Sequence, residues 1–206
     1  MAQREPRSRE RIIFGAADLI RRRGLAGSTV RDLAAHSGAP LGSTYHYFPR
    51  GKQQLAAEAV RFAGDLVTRV LERELRAGPA AGLRAFLTLW RQTVLDSDFR
   101  AGCPVLAVAV EEPPADGPPE AIDAAAEVFG TWERMLAASL RDHGAGQAQA
   151  AQLATLIVAA TEGTVAMCRA QRDIRPLDDV TAQLEALVRH ATGGPCHSGE
   201  RTTYRE

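Results

Sequence analysis

Tyr45, His46, Tyr47 and Lys52, the chain's single lysine, fall within one stretch of eight residues. Phenol, imidazole and ammonium groups can all donate hydrogen bonds to phosphate oxygens, and a helix beginning at Lys52 would add positive potential. Immediately before them stand Leu41, Gly42 and Ser43. Such compact side chains at the leading face of a helix let it approach base edges closely. The charge distribution agrees. Residues 1–52 hold ten cations against Glu5, Glu10, Asp18 and Asp32, a net of +6, and the remainder holds fifteen cations against twenty-one acids, a net of −6. A basic head on an acidic body suits a polyanion partner for the head alone, although a solvated Arg-rich helix would carry the same charge.

Other groups could serve catalysis instead. Glu111-Glu112 borders an apolar segment, and Cys103 is a potential nucleophile. Adjacent glutamates point to different faces, and no histidine lies near them to complete an acid–base pair. Cys103, Cys168 and Cys196 show neither metal-ligand nor redox spacing, and Cys196-His197 has no second ligand pair nearby. They read as free thiols of a reducing compartment, with a Cys103 or Cys168 redox sensor as a variant. No metal and no cofactor is called for. A small cytoplasmic enzyme with an all-helical fold is therefore the alternative reading, and a nonspecific nucleic-acid binder is a third.

The elements that must position these groups are helices. Ile12, Ile13, Ala16, Leu19 and Ile20 recur at helical spacing until Gly24. Ser28-Thr29 offers an N-cap for a short second helix with Val30, Leu33 and Ala34 inward, and Gly38 ends it. A third helix spans about Pro40 to Tyr47. A long helix over roughly 51–77 carries an apolar stripe of Leu55, Ala59, Phe62, Leu66 and Val70, with Ala63, Val67 and Leu71. Helices over 80–96, 120–143, 147–171 and 176–190 follow, with a short apolar segment at 102–110 and a Pro-rich acidic connector at 111–119. The 147–171 helix is apolar over much of its circumference, so it must be buried on more than one side. About nine helices and no strand pattern make the chain all-α. The longest strongly apolar run, Leu153 to Thr161, ends at Glu162, short of the ~20 residues of a membrane span. With no signal peptide in front of the charged start, a soluble cytoplasmic protein that does not engage a membrane is expected.

Ser28-Thr29-Val30-Arg31-Asp32-Leu33-Ala34, then Ser37-Gly38, Ser43 to Pro49 and Lys52 closely resemble the signature head of TetR-family regulators. The resemblance implies a three-helix helix-turn-helix DNA-binding domain over residues 1–52. Residues 53–192 would form a helical effector-binding and dimerisation domain, and residues 193–206 a disordered tail. It assigns Thr29 and Arg31 to backbone or base contacts, Leu41, Gly42 and Ser43 to base reading, and Tyr45, His46, Tyr47 and Lys52 to phosphate. Phe48 and Leu33 would be core. Tyr45 could instead join Phe48 in locking the head, and His46 could be a solvated helix-end residue. Two departures stand out. Pro40-Leu41 replaces a polar pair common in the family, and Arg50-Gly51 lengthens the step before Lys52 by one residue. That step, with Gly102-Cys103-Pro104-Val105 and Glu111, resembles the LmrA/YxaF-like branch.

For the body, the resemblance implies a small-molecule pocket. Aromatic and Met side chains on separate helices suggest a lining of Phe86, Trp90, Cys103, Phe129, Trp132, Met135 and Met167, although such residues also build ordinary cores. The 147–171 and 176–190 helices would form a four-helix dimer interface. The protein expected is a homodimeric repressor, released from a palindromic double-stranded DNA operator by a small apolar effector.

Overall fold

A computed structural model of the chain describes residues 5–193. Of the expected tail over 193–206, Gly193 closes the last helix and the rest, with Cys196 and His197, lies outside the described residues. Among those, the chain forms α1 (Glu5–Arg23), α2 (Val30–His36), α3 (Leu41–Tyr47), α4 (Lys52–Glu74), α5 (Pro79–Asp96), α6 (Pro104–Ala109), α7 (Glu120–Asp142), α8 (Gln147–Gln171) and α9 (Arg175–Gly193), with a 3₁₀ turn at Leu75–Ala77 after α4. No strand occurs among the described residues.

The head closes through local chemistry. Thr29 caps α2 in a capping box: its hydroxyl accepts from the Asp32 amide at 3.1 Å, and the Asp32 carboxylate accepts from the Thr29 amide at 2.8 Å. At the other end the Gly38 amide bonds Ala35 O and the Ala39 amide bonds Ala34 O, a Schellman stop. Gly38 sits there at φ +65°, where a Cβ would be strained. Leu33, Thr44 and Phe48 fill the space among α1, α2 and α3. Asp18 on α1 bonds Arg21, Arg22 and His36, and the His36 contact at 2.8 Å ties the end of α2 to α1. Burial opposes the charge on Asp18, but the bonds from Arg21, His36 and Arg22 outweigh it and hold the carboxyl at about 2.

In the body, α4 packs mainly on α7, and α8 packs between α7 and α9. The core runs continuously from Ile12 and Ile20 in the head to Leu184 and Val188 in α9. Half of the expected α4 stripe is buried, namely Leu55, Ala59, Val67 and Leu71. Ala56, Val60 and Gly64 are buried as well, whereas Leu66 is exposed and Phe62, Ala63 and Val70 are half-buried. A helix contacted by α1, α5, α6 and α7 has apolar residues on several faces, so periodicity cannot choose the buried one. The 102–110 segment contains a true helix, opened by Cys103 at the N-cap and Pro104 at the first position. By length and mean hydropathy of 1.4, α8 could cross a membrane, but half of that stretch is buried against the rest of this fold.

Candidate nucleic-acid interface and its joint to the body

The turn between α2 and α3 exposes one face of α3. Thr44 and Phe48 point inward, one turn apart. Gly42, Tyr45 and His46 point out, and Tyr45 is 51% exposed. That exposure removes the reading of Tyr45 as a core lock. Leu41, Ser43 and Tyr47 are half-buried at the edges of that face, and the Tyr47 ring meets those of His46 and Phe48 edge-on. A Cβ added at Gly42 would touch nothing within 4 Å, so no neighbour in the chain demands a glycine there. Pro40 takes the N-cap position rather than the first turn and supplies no side-chain cap.

Thr29 and Arg31 lie exposed on α2 beside this face, and half-buried Lys52 opens α4. The Thr29 hydroxyl is already engaged in the capping box, so a backbone contact through it would have to share that role. Tyr45 and Lys52 have no hydrogen-bond or ion-pair partner among the described residues.

Arg9 on α1 pairs with Glu58 of α4, and three further polar ties hold the end of α1 to the body. The Gly102 amide donates to Arg21 O at 2.9 Å. From α8, Arg169 Nη2 donates to Arg22 O at 3.2 Å and to Arg100 O at 3.3 Å, a cation placed at a helix C-terminus. Glu111 Oε1 accepts from the amides of Leu25 and Ala26, each at 2.9 Å. Gly24 fits this joint with φ +77°, where its position for a Cβ lies 3.2 Å from Glu111 Oε1. Another tie explains the lengthened step: Arg50 forms a two-pronged pair with Glu120 at the start of α7, at 2.9 and 3.0 Å. The Gly102–Glu111 segment and Arg50-Gly51, which mark the branch resemblance, are thus parts of one joint. Spacing alone did not reveal it, because its partners lie as far as 147 residues apart.

The residues expected to line a pocket divide in the fold. Phe86, Trp90, Phe129 and Trp132 come together, with ring centroids 5.7–6.4 Å apart, but as interlocked edge-to-face contacts. Phe86 and Trp132 are fully buried, and the Trp132 indole donates to Thr68 at 3.2 Å. Met135 packs at the edge of the same core, whereas Met167 is 50% exposed on the outer face of α8. Two cavities border this cluster. One of about 240 Å³ lies between α1, α4 and α5, where Phe14, Phe62 and Trp90 line it. The other, about 400 Å³, lies between α6, α7 and α8 and is lined by Leu106, Phe129, Val158 and Glu162. Sequence reasoning passed over Glu162, which is 3% exposed and whose carboxyl meets no donor among the described residues beyond the weak Cys103 thiol. Burial pushes it up to about 8. Its neighbour Cys103 is buried too, and burial together with the Glu162 charge raises that thiol well above the usual range.

An exposed α3 face behind a tight turn, in a head of net positive charge carried on a helical body, is the arrangement of a helix-turn-helix regulator. The chain belongs to the TetR family of transcriptional regulators, in its LmrA/YxaF-like branch: the family of bacterial tetR regulatory proteins matches residues 12–59, and the LmrA/YxaF-like C-terminal domain matches residues 79–183. It is 40% identical to a helix-turn-helix transcriptional regulator of Mycobacterium tuberculosis, covering 87% of this chain and 93% of that one. It is 30% identical to the regulator YxaF of Bacillus subtilis over 88% of this chain and 95% of YxaF. The LmrA regulator of the same bacterium is 28% identical, over 88% and 97%. The fold matches the crystal structure of a TetR regulator from Legionella pneumophila with TM-score 0.78 at 20% identity, covering 87% and 96% of the two chains. A Chloroflexus aurantiacus regulator gives TM-score 0.71 at 26% identity, covering 90% and 96%.

Proposed function

We propose that this transcriptional regulator is a cytoplasmic homodimeric repressor, with a DNA-binding head over residues 1–52 and an effector-binding and dimerisation body over 53–192. In this reading α3 enters the major groove. Leu41, Gly42 and Ser43 approach base edges, while Tyr45, His46, Tyr47 and Lys52 grip phosphates with help from Thr29 and Arg31. The observation that carries the reading is the outward face of α3. Gly42 stands in open space and the Tyr45 hydroxyl has no partner among the described residues, which leaves both free to meet a surface outside the chain.

Dimerisation is supported by the outer face of α8. From Gln147 to Cys168 the sole charged residue is the buried Glu162, and Leu156 and Met167 stand 45% and 50% exposed on that helix. An exposed helical face with no charge and several large apolar groups marks an interface. Two such chains would place their α3 helices on half-sites one helical turn apart, roughly 34–36 Å. An effector in the body weakens this grip if it favours a different head spacing, since a ligand shifts an equilibrium only through its differential affinity. The joint at the end of α1 and at α7 gives such a shift a path to the head. Commitment of the Glu111 carboxylate to two amides supports this regulatory reading over a catalytic use of the Glu111-Glu112 pair.

DNase footprinting on DNA flanking the protein's own gene, with excess random competitor, tests the proposal. One protected near-palindrome, preferred by roughly a thousandfold over random DNA, is the expected result. Salt-sensitive protection without a preferred site would reduce the head to a nonspecific binder.

A further inference from the structure

Glu162 is an acid in a place that gives it almost nothing to bond. It sits midway along α8, 3% exposed, and among the described residues the weakly donating Cys103 thiol is the one group directed at its carboxyl. Buried polar groups are overwhelmingly paired, and an unpaired one costs free energy that folding must recover elsewhere. The residue also lines the cavity of about 400 Å³ between α6, α7 and α8. The remaining walls are Leu106, Phe129, Val158, Ala159, Thr155 and Gly163, with Glu133 from α7 at the margin. Two carboxyl groups therefore face an otherwise apolar space whose lining contains no Arg, Lys or His. The other titratable group beside Glu162 is the Cys103 thiol at the start of α6, itself buried and held as the neutral thiol.

We infer that this cavity binds an apolar molecule carrying a protonated amine, with Phe129, Leu106 and Val158 covering its hydrocarbon and the Glu162 carboxylate meeting its ammonium. Charge decides the class. An anionic ligand would meet Glu133 and a wall with no cation, whereas an ammonium supplies Glu162 with a strong donor and a counter-charge together. Dry apolar walls strengthen that pairing relative to water. In the unliganded chain Glu162 holds its proton at neutral pH, and it releases that proton to solvent as the cation enters. The inference rests on the reading of the body as an effector sensor, and it narrows the effector from a merely apolar molecule to a hydrophobic amine. The mouth of the cavity shares Thr155, Ala159 and Gly163 with the outer face of α8, so a ligand there sits beside the proposed dimer contact.

The test is calorimetric titration of the full chain at neutral pH with three probes of one shape: 4-phenylbutylamine, 4-phenylbutan-1-ol and 4-phenylbutyrate. The amine should bind saturably and about tenfold or more tighter than the alcohol, the worth of a charge-assisted hydrogen bond, and the carboxylate should bind weakest. Glu162→Gln, which matches the neutral acid in shape, should bring the amine down to the alcohol's affinity and leave the alcohol nearly unchanged. Equal binding of amine and alcohol to the unmodified protein would overturn the inference without recourse to any variant. So would a preference for amine that survives Glu162→Gln, or the failure of all three probes to bind. Operator retention measured alongside separates the two readings. Amine binding that leaves DNA affinity untouched would uphold the cavity's chemistry and remove it as the switch.

Discussion

Glu111 at the end of α6 accepts the Leu25 amide at 2.9 Å, across 86 residues of sequence, and bonds the Ala26 amide through the same oxygen. The two amides belong to the turn that leaves α1, so a body carboxylate takes the place of a local cap. A hydrogen bond to a charged acceptor is worth more than a neutral one, but this one is partly solvated. Glu111→Ala should cost about 1–2 kcal/mol of stability. Denaturant midpoints would measure the loss, and amide exchange should accelerate at Leu25 and Ala26 ahead of the rest of the core. Unchanged protection at those two amides would mean that the turn holds without the body.

Gly42 separates folding from DNA reading. A residue with open space around it and ordinary helical backbone gains stability from a Cβ, because glycine loses more chain entropy on folding. Gly42→Ala should therefore raise stability by about 0.4–1 kcal/mol while weakening operator binding. Thermal melts and operator titrations, read together, check the opposite signs. A variant that is more stable and binds operator equally well would exclude Gly42 from close approach to DNA.

Glu162 should make the whole protein pH-sensitive. Its folded value of about 8 lies above the ordinary 4.5, so between those limits the folded state binds a proton that the unfolded state has lost. Stability must then fall as pH rises through that window, by at most about 4 kcal/mol at pH 8. Glu162→Gln removes the titration. The difference in stability between variant and parent should be small near pH 5 and grow in the variant's favour toward pH 8. A flat difference across that range would place the carboxyl in a better-solvated setting than this fold gives it.

Cys103 is a poor candidate for a redox sensor. Reactive cysteines are exposed thiolates, whereas this thiol is 4% exposed and burial, with the Glu162 charge behind it, keeps it protonated. Cys168 is buried as well, its thiol directed to Ile174 O. Neither should be alkylated by iodoacetamide until the protein is unfolded, and mild peroxide should leave operator affinity unchanged. Rapid labelling of the native protein at Cys103 would reopen the redox reading.

Much of this was legible from local rules. The breaks at Gly24, Gly38 and Gly78-Pro79 follow from backbone sterics acting within a few residues, and they fell where the sequence placed them. The outward face of α3 was readable because a seven-residue helix with Thr44 and Phe48 inward leaves its other face no choice. The joint was not readable, since Arg169 and Arg22 or Glu111 and Leu25 are paired only by the tertiary fold. The buried face of α4 was only half readable: Leu55, Ala59, Val67 and Leu71 face inward as expected, but Leu66 does not, because an apolar residue on a helix with four neighbours fits several faces. Glu162 was taken as the end of an apolar run. The available signal was that it stands alone: an acid with no other charge from Gln147 to Cys168 is either exposed at an interface or buried for a purpose.

That same uncharged stretch supports the last prediction. Leu156 and Met167 lie exposed on the outer side of α8, and Leu187 is 43% exposed on α9. A charge placed at Leu156 costs the isolated fold little, because that side chain is already near solvent there. In a dimer the same charge would be buried against apolar partners, and an unpaired buried charge costs several kcal/mol. Leu156→Glu should thus yield a folded monomer with an unchanged circular dichroism spectrum. Operator affinity should fall steeply, because one head must then hold one half-site without the second. Sedimentation velocity of parent and variant at micromolar concentration decides the matter. A parent that is already monomeric would refute the α8 interface, and a variant that stays dimeric would move the interface to another face of the body.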